Sequence, residues 1–352
     1  MGALKAKVIK GLKWTTAGRG AQLIIQLIQY AILARLLTPA DFGHFSMADI
    51  IIGFSMRFND AGLSSAIIQS KEIDREKFST LYFLSLIIGL LVFLVINISK
   101  NYIGIFFNAD GVSELLFLGS FIFLILPIGK PYQTLFRKEL MFDTIIKVEF
   151  VSKIIGATIS ILLAFEGMGA KSIIWGIITN NFVRAAYFFV RGYKYYSIIT
   201  VFKLNKVKKE VNFGLNRLGA SVINYFGARM DKILIGKFLG SEALGFYEIA
   251  FRLVLQPFQK IQPIISRITL PAFSKIQNNL MKMKYYYFNS IEYLNLLMVP
   301  LMIGIALTAK SALLIIFGPE WEESIPLVEV LAIVVMFKLI GAPYGNVILA
   351  IG

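Results

Sequence analysis

Residues 78–98, "FSTLYFLSLIIGLLVFLVINI", form an apolar run without a charged side chain, flanked by Lys77 and Lys100. At about 1.5 Å of rise per residue, a helix of this length crosses the ~30 Å hydrocarbon core of a bilayer once. Noisier runs of similar length cover 15–37, 43–68, 112–136, 145–165, 172–190, 213–239, 244–273, 287–307 and 325–349. The pattern therefore predicts about ten spans, several of them with ionisable residues in their interiors. Backbone groups in lipid must be satisfied within the protein, and these runs are too long for barrel strands. The predicted fold class is an all-α polytopic membrane protein.

The polar positions between the runs give the spans an order. Lys5, Lys7, Lys10 and Lys13 precede the first, and Lys71, Arg75 and Lys77 follow the second. Arg137 and Lys138 follow the fourth, and Arg191, Lys194, Lys203, Lys206, Lys208 and Lys209 follow the sixth. The alternate loops are poorer in cations and hold Glu114, Glu166, Glu320, Glu322 and Glu323. Short loops rich in Lys and Arg stay cytoplasmic, which predicts an inside amino terminus. The longest basic stretch, 192–209, separates a first transmembrane lobe at 1–191 from a second at 210–352.

A repeat supports that division. "ARLLTPADFGHFSMA" at 34–48 is echoed by "GKFLGSEALGFYEIA" at 236–250, with Leu37 opposite Leu239, Gly43 opposite Gly245 and Ala48 opposite Ala250. Each copy joins the end of one span to the start of the next. An even number of spans separates them, so both cross in the same direction. This is the parallel repeat of two pseudo-symmetric helix bundles, a plan used by secondary transporters. By that count the second lobe lacks two spans, because the sequence stops inside an apolar run at "NVILAIG". A truncated second lobe is the expectation.

Composition narrows the function. The 352 residues are 57% hydrophobic and 16% charged, with a mean hydropathy of +0.71. A soluble domain carries about a quarter charged residues. The formal net charge of +15 follows the loops, so it marks topology and not a nucleic-acid surface. The start, "MGALKAKVIKGLKW", leads into a full-length span with no small-residue cleavage site. There is no cysteine and one histidine, His44, and no phosphate-binding G-x-x-x-x-G-K-[ST] occurs. No catalytic residue, metal or cofactor is expected, and an enzyme is the weaker reading.

Several segments carry a family resemblance: "ILARLLTPADFGHFSMA", "FNDAGLSSAIIQ", "YQTLFRKELMF", "RMDKILIGKFLGSEALGFYEIAFRL" and "ITLPAFSKIQ". In that order they resemble the bacterial polysaccharide (oligosaccharide) flippase family, within the superfamily of multidrug, oligosaccharidyl-lipid and polysaccharide exporters. The resemblance implies two six-helix lobes around a central cavity, in the inner membrane. It also implies transport of undecaprenyl-pyrophosphate-linked oligosaccharides for capsule, exopolysaccharide or O-antigen assembly, with a polymerase and glycosyltransferases as partners. The alternative is a cation- or proton-coupled small-molecule exporter of the same superfamily.

Ionisable side chains at membrane depth cost about 2.5–3.5 kcal/mol each on insertion scales, so they face a cavity or a partner. The cations that fit a pyrophosphate in such a cavity are Arg19, Arg57, Lys153, Arg229, Arg252 and Lys260. Asp49, Asp60 and Glu248 are candidates for binding a coupling ion. The plain alternative for each is mutual pairing or snorkelling to the interface. Glu248 and Arg252, four residues apart, fit a structural pair especially well. A cavity for organic cations would be acidic and aromatic, whereas these spans hold more Arg and Lys than Asp and Glu.

Overall fold

In a computed structural model the chain is described at residues 2–60, 62–70, 73–207, 219, 221–341 and 344–351. Within these, only the backbone is described at 2–14, 16, 17, 19, 60, 256–268, 297, 339, 340 and 351. Among the described residues there is no strand. The chain divides into two compact units, 1–244 and 245–352.

The first unit opens with α1 (Gly2–Ala34), α2 (Pro39–Asp60) and α3 (Leu63–Gln69). It continues through α4 (Arg75–Phe107), α5 (Gly111–Ser120), α6 (Ile122–Lys138), α7 (Phe142–Phe165) and α8 (Ala170–Tyr195). A helical stretch at 221–227 and α9 (Met230–Phe238) complete it, together with the start of α10 (Gly240–Lys275). The second unit contains the rest of α10, then α11 (Leu280–Ile316), α12 (Ser324–Gly341) and α13 (Tyr344–Ile351).

Local chemistry fixes the helix ends. The Asp74 carboxylate accepts the Lys77 N–H at 2.6 Å and so caps α4, while Asn108 ends that helix in the left-handed conformation. Thr38 Oγ1 accepts the Asp41 N–H at 3.2 Å, and Asp41 Oδ2 accepts the Thr38 N–H at 3.1 Å. This reciprocal cap sits at the start of α2. Asp41 Oδ1 reaches further and accepts the Ala170 N–H at 3.0 Å, which ties the start of α8 to the start of α2.

The single run predicted at 43–68 is two helices, because α2 stops at Asp60 and α3 begins after Gly62 in a left-handed turn. The predicted run at 213–239 is likewise interrupted, by a turn at Ala228 and Arg229, and its first residues lie outside those described. Pro127 and Pro131 sit inside α6, which continues through both.

Five helical segments among the described residues are long and apolar enough to cross a membrane. They are Arg75–Phe107, Gly111–Lys138, Phe142–Phe165, Ala170–Tyr195 and Leu280–Ile316. The other long helices include α2, which carries Asp49, Arg57 and Asp60, and α10, which carries Glu248, Arg252 and Lys260.

Helices α6, α7 and α8 pack closely on one another, and α1 lies along α7. Near the linker, Leu63, Phe78, Leu81, Tyr132, Phe136 and Phe188 make an apolar core. The basic linker runs over that core. Val207 is buried in it, the Tyr196 hydroxyl donates to the Ile73 carbonyl, and the Ile199 N–H donates to Ser79 Oγ at 2.9 Å. The Lys203 N–H donates to Thr80 Oγ1 at 3.1 Å. Charge completes the strap: Lys203 Nζ is 2.9 Å from Glu76, and Lys206 Nζ is 2.6 Å from Asp74 and 2.7 Å from Glu76. Residues 196–207 therefore belong physically to the first six spans, and so do residues 221–244 beyond them.

Candidate functional site

The site is assembled along α2, where the segment 221–241 lies against it. At the start of α2 a Cβ on Gly43 would overlap the Ser241 carbonyl, so the two backbones touch there. These residues belong to the two echoed turns of the sequence. Two turns further along α2, Asp49 Oδ2 accepts a hydrogen bond from Arg229 Nη1 at 3.2 Å. Next to that pair the Tyr225 hydroxyl donates to the Ile50 carbonyl at 2.7 Å.

Tyr225 is buried, and the fit depends on a missing side chain. A Cβ on Gly53 would lie 2.6 Å from the Tyr225 hydroxyl, so any larger residue would push the ring out. Phe54 stacks on Phe226, with centroids 4.9 Å apart, and steadies the same surface. Two guanidiniums flank the tyrosine: Arg57 lies 5.4 Å and Arg229 5.2 Å from the ring centroid.

One carboxylate thus meets two guanidiniums on one aromatic ring. Asp49 balances Arg229. Among the described side chains, no carboxylate lies within salt-bridge distance of Arg57, which lies over the Tyr225 ring. A guanidinium placed over a ring can still offer its edge donors to an oxyanion, and its planar fork suits two oxygens of one phosphate.

The structure brings Asp49, Arg57 and Arg229 together out of the sequence candidates. Lys153 stands apart on α7, partly buried. Glu248 and Arg252 form an ion pair at 2.6 Å within α10, with side chains only 4% and 11% exposed. The side chains of Arg19, Asp60 and Lys260 lie outside those described.

Sequence reasoning missed Tyr225, although its four-residue spacing from Arg229 was visible. It also missed Glu149, Gln133 and Asn181, which gather with Arg184 between α6, α7 and α8. Gln133 Nε2 donates to Glu149 Oε1 at 2.9 Å, and Arg184 Nη2 donates to Asn181 Oδ1 at 2.6 Å.

The profile of a family described as polysaccharide biosynthesis protein matches residues 32–326. The chain is 31% identical to the teichuronic acid biosynthesis protein TuaB of Bacillus subtilis, covering all of this chain and 73% of TuaB. It is 28% identical to the lipopolysaccharide biosynthesis protein WzxC of Escherichia coli, over 99% of this chain and 71% of WzxC. Among solved structures, the lipid II flippase MurJ in an inward closed conformation superposes with a TM-score of 0.74 at 13% identity. That superposition covers 97% of this chain and 76% of MurJ. It shows a shared fold of polytopic transporters.

Proposed function

The chain belongs to the polysaccharide biosynthesis protein family, and we propose that it flips undecaprenyl-pyrophosphate-linked oligosaccharides across the bacterial inner membrane by alternating access. In this reading the amino terminus and the linker strap face the cytoplasm, as the Lys and Arg distribution favours. The sequence halves on either side of the linker act as two lobes. The exported unit then passes to the enzymes that polymerise the surface glycan.

The observation that carries the reading is the cluster on α2. Arg57 and Arg229 share the Tyr225 ring, and Asp49 pairs with Arg229, so the described side chains of this cluster carry two guanidiniums to one carboxylate. That surplus of guanidinium matches an anionic headgroup and argues against an organic-cation exporter. Pyrophosphate binding would draw on charge-assisted hydrogen bonds of about 1.5–3 kcal/mol each.

Arg57→Ala should lower surface-polysaccharide output roughly tenfold or more, at a normal amount of membrane-inserted protein. Arg57→Lys should restore it only in part, because a point charge cannot reproduce the bidentate fork. Normal output from Arg57→Ala would remove this cluster from the substrate path.

A further inference from the structure

A second cluster of charge in the first unit lies between α6, α7 and α8, and it gathers two guanidiniums around one carboxylate. Glu149 sits two turns into α7, about 10 Å along the helix from the α6–α7 turn. Its Oε1 already accepts from Gln133, and the Arg137 guanidinium stays loosely placed at 3.9 Å. Arg184 on α8 is partly buried close by, and its hydrogen-bond partner is the amide oxygen of Asn181. That oxygen is held in place, because Asn181 Nδ2 donates to the Ile177 carbonyl at 2.8 Å and the residue is 6% exposed.

Arg184 feels the Glu149 charge as attraction and the Arg137 charge as repulsion. Among the described residues, no carboxylate lies within 4 Å of its guanidinium. Two guanidiniums therefore surround one carboxylate that makes no close ion pair with either. Lys153 adds a third cation one turn beyond Glu149 on α7. Arg184 spends one donor on Asn181, and its guanidinium is not sealed, so its remaining donors can reach an incoming anion.

We infer that Arg184, Arg137 and Glu149 frame a second anion site, near the linker end of the first six spans, which receives the phosphate group of the lipid-linked substrate before it reaches Arg57 and Arg229. This inference rests on the flippase reading and on the linker end facing the cytoplasm, where the substrate is loaded. Arg184 supplies the fixed fork, oriented by Asn181. Arg137 lies at the last turn of α6, at the mouth. Glu149 offsets part of the charge of Arg184 and Arg137 before the substrate arrives and gives way electrostatically to the incoming phosphate. A cluster with this composition binds its anion more tightly when the carboxylate is neutralised.

The test is equilibrium binding to the purified full chain, with undecaprenyl pyrophosphate, phosphatidylglycerol and inorganic pyrophosphate as separate probes. Arg184→Gln should weaken undecaprenyl pyrophosphate binding about ten- to a hundredfold. Glu149→Gln keeps an oxygen for Gln133 and should strengthen binding severalfold. Inorganic pyrophosphate should follow the same rank order at lower affinity. A merely structural cluster gives the opposite result for Glu149→Gln: binding falls and the melting temperature drops with it, which would overturn the site.

If phosphatidylglycerol alone follows the rank order, the cluster holds a bilayer headgroup, and the substrate assignment fails. Arg57→Ala is measured alongside. Loss of export there, with unchanged binding across the Arg184 and Glu149 variants, would leave the flippase reading standing and sink this inference alone.

Discussion

Glu248 with Arg252 and Asp49 with Arg229 are both acid–arginine pairs in helices that border the echoed turns, yet they are built differently. The first is 2.6 Å long, lies within one helix, and has side chains 4% and 11% exposed. The second is 3.2 Å long, joins segments 180 residues apart, and leaves both side chains about a third exposed. A short pair, sealed from solvent and fixed by helical spacing, has nothing to exchange with. A longer pair at an accessible surface can trade its carboxylate for a substrate phosphate. On the proposed function, the contrast favours a structural role within α10 for Glu248 and Arg252, and a substrate role for Asp49 and Arg229.

The strongest way to break this contrast is to remove one member of the sealed pair. Arg252→Ala takes away the guanidinium 2.6 Å from the buried Glu248 carboxylate, and breaking a buried pair in this way costs about 3–5 kcal/mol. The expected outcome is a large drop in melting temperature and in membrane-inserted protein. Replacing both residues by apolar ones of similar volume should recover much of that stability. Export by the recovered double variant would then confirm a structural role. Stable but inactive double-variant protein would return Glu248 to the candidates for ion coupling.

The open pair should give a smaller stability effect and a larger functional one. Arg229→Ala should cost about 1–3 kcal/mol, toward the low end because solvent reaches both partners. Export should fall more than that loss explains, since the Tyr225 ring also loses one of its two guanidiniums. The swap Asp49→Arg with Arg229→Asp restores the pair and shows, through a double-mutant cycle, how much of the loss is their coupling. A swap that restores stability without export would sharpen the comparison. A swap that restores both would make the pair a fastener like Glu248–Arg252.

The sequence displayed these two pairs unequally, for a physical reason. Glu248 and Arg252 are four residues apart, and helical geometry alone puts them on one face. Arg229 and Asp49 each stood out as charge at membrane depth, but no local rule connects them. Tyr225 carried less signal still, because its role depends on the Ile50 carbonyl and on the space above Gly53. Likewise Glu149, Gln133 and the Asn181–Arg184 pair come from three helices, and only the last two share a helical spacing. The spans were legible where apolar runs were clean, as in α4. They blurred where charge interrupts them, and the α2–α3 break looked like one continuous run because Gly62 alone does not announce a turn.

The linker strap gives the mildest test, as an ion-pair cluster standing in water. Hydrogen bonding from Lys206, and then from the Lys77 N–H, holds the Asp74 carboxyl below its ordinary range. Hydrogen bonding to Asp74, and then to Glu76, lifts the Lys206 ammonium above its own. The lowered Asp74 contributes to the strap above the ordinary carboxylate range, and that contribution is lost as pH falls through its depressed value. The raised Lys206 contributes fully below the ordinary lysine range and loses its contribution as pH rises through the lifted value. Attachment is therefore flat across neutral pH and weakens at both extremes. Hydrogen exchange at the Ile199 and Lys203 amides reads it directly, because their acceptors are Ser79 and Thr80 on α4. Protection relative to the intrinsic exchange rate at each pH should fall slightly in acid and in high salt, and Lys206→Ala should flatten the acid response with little change in export, since exposed pairs contribute little and are screened. Protection that ignores pH and salt would mean that Val207 and the backbone bonds hold the strap unaided. A strong loss of export in Lys206→Ala would mean instead that a pair in water matters as much as one at membrane depth, and the distinction drawn between Asp49–Arg229 and its solvated counterparts would fail.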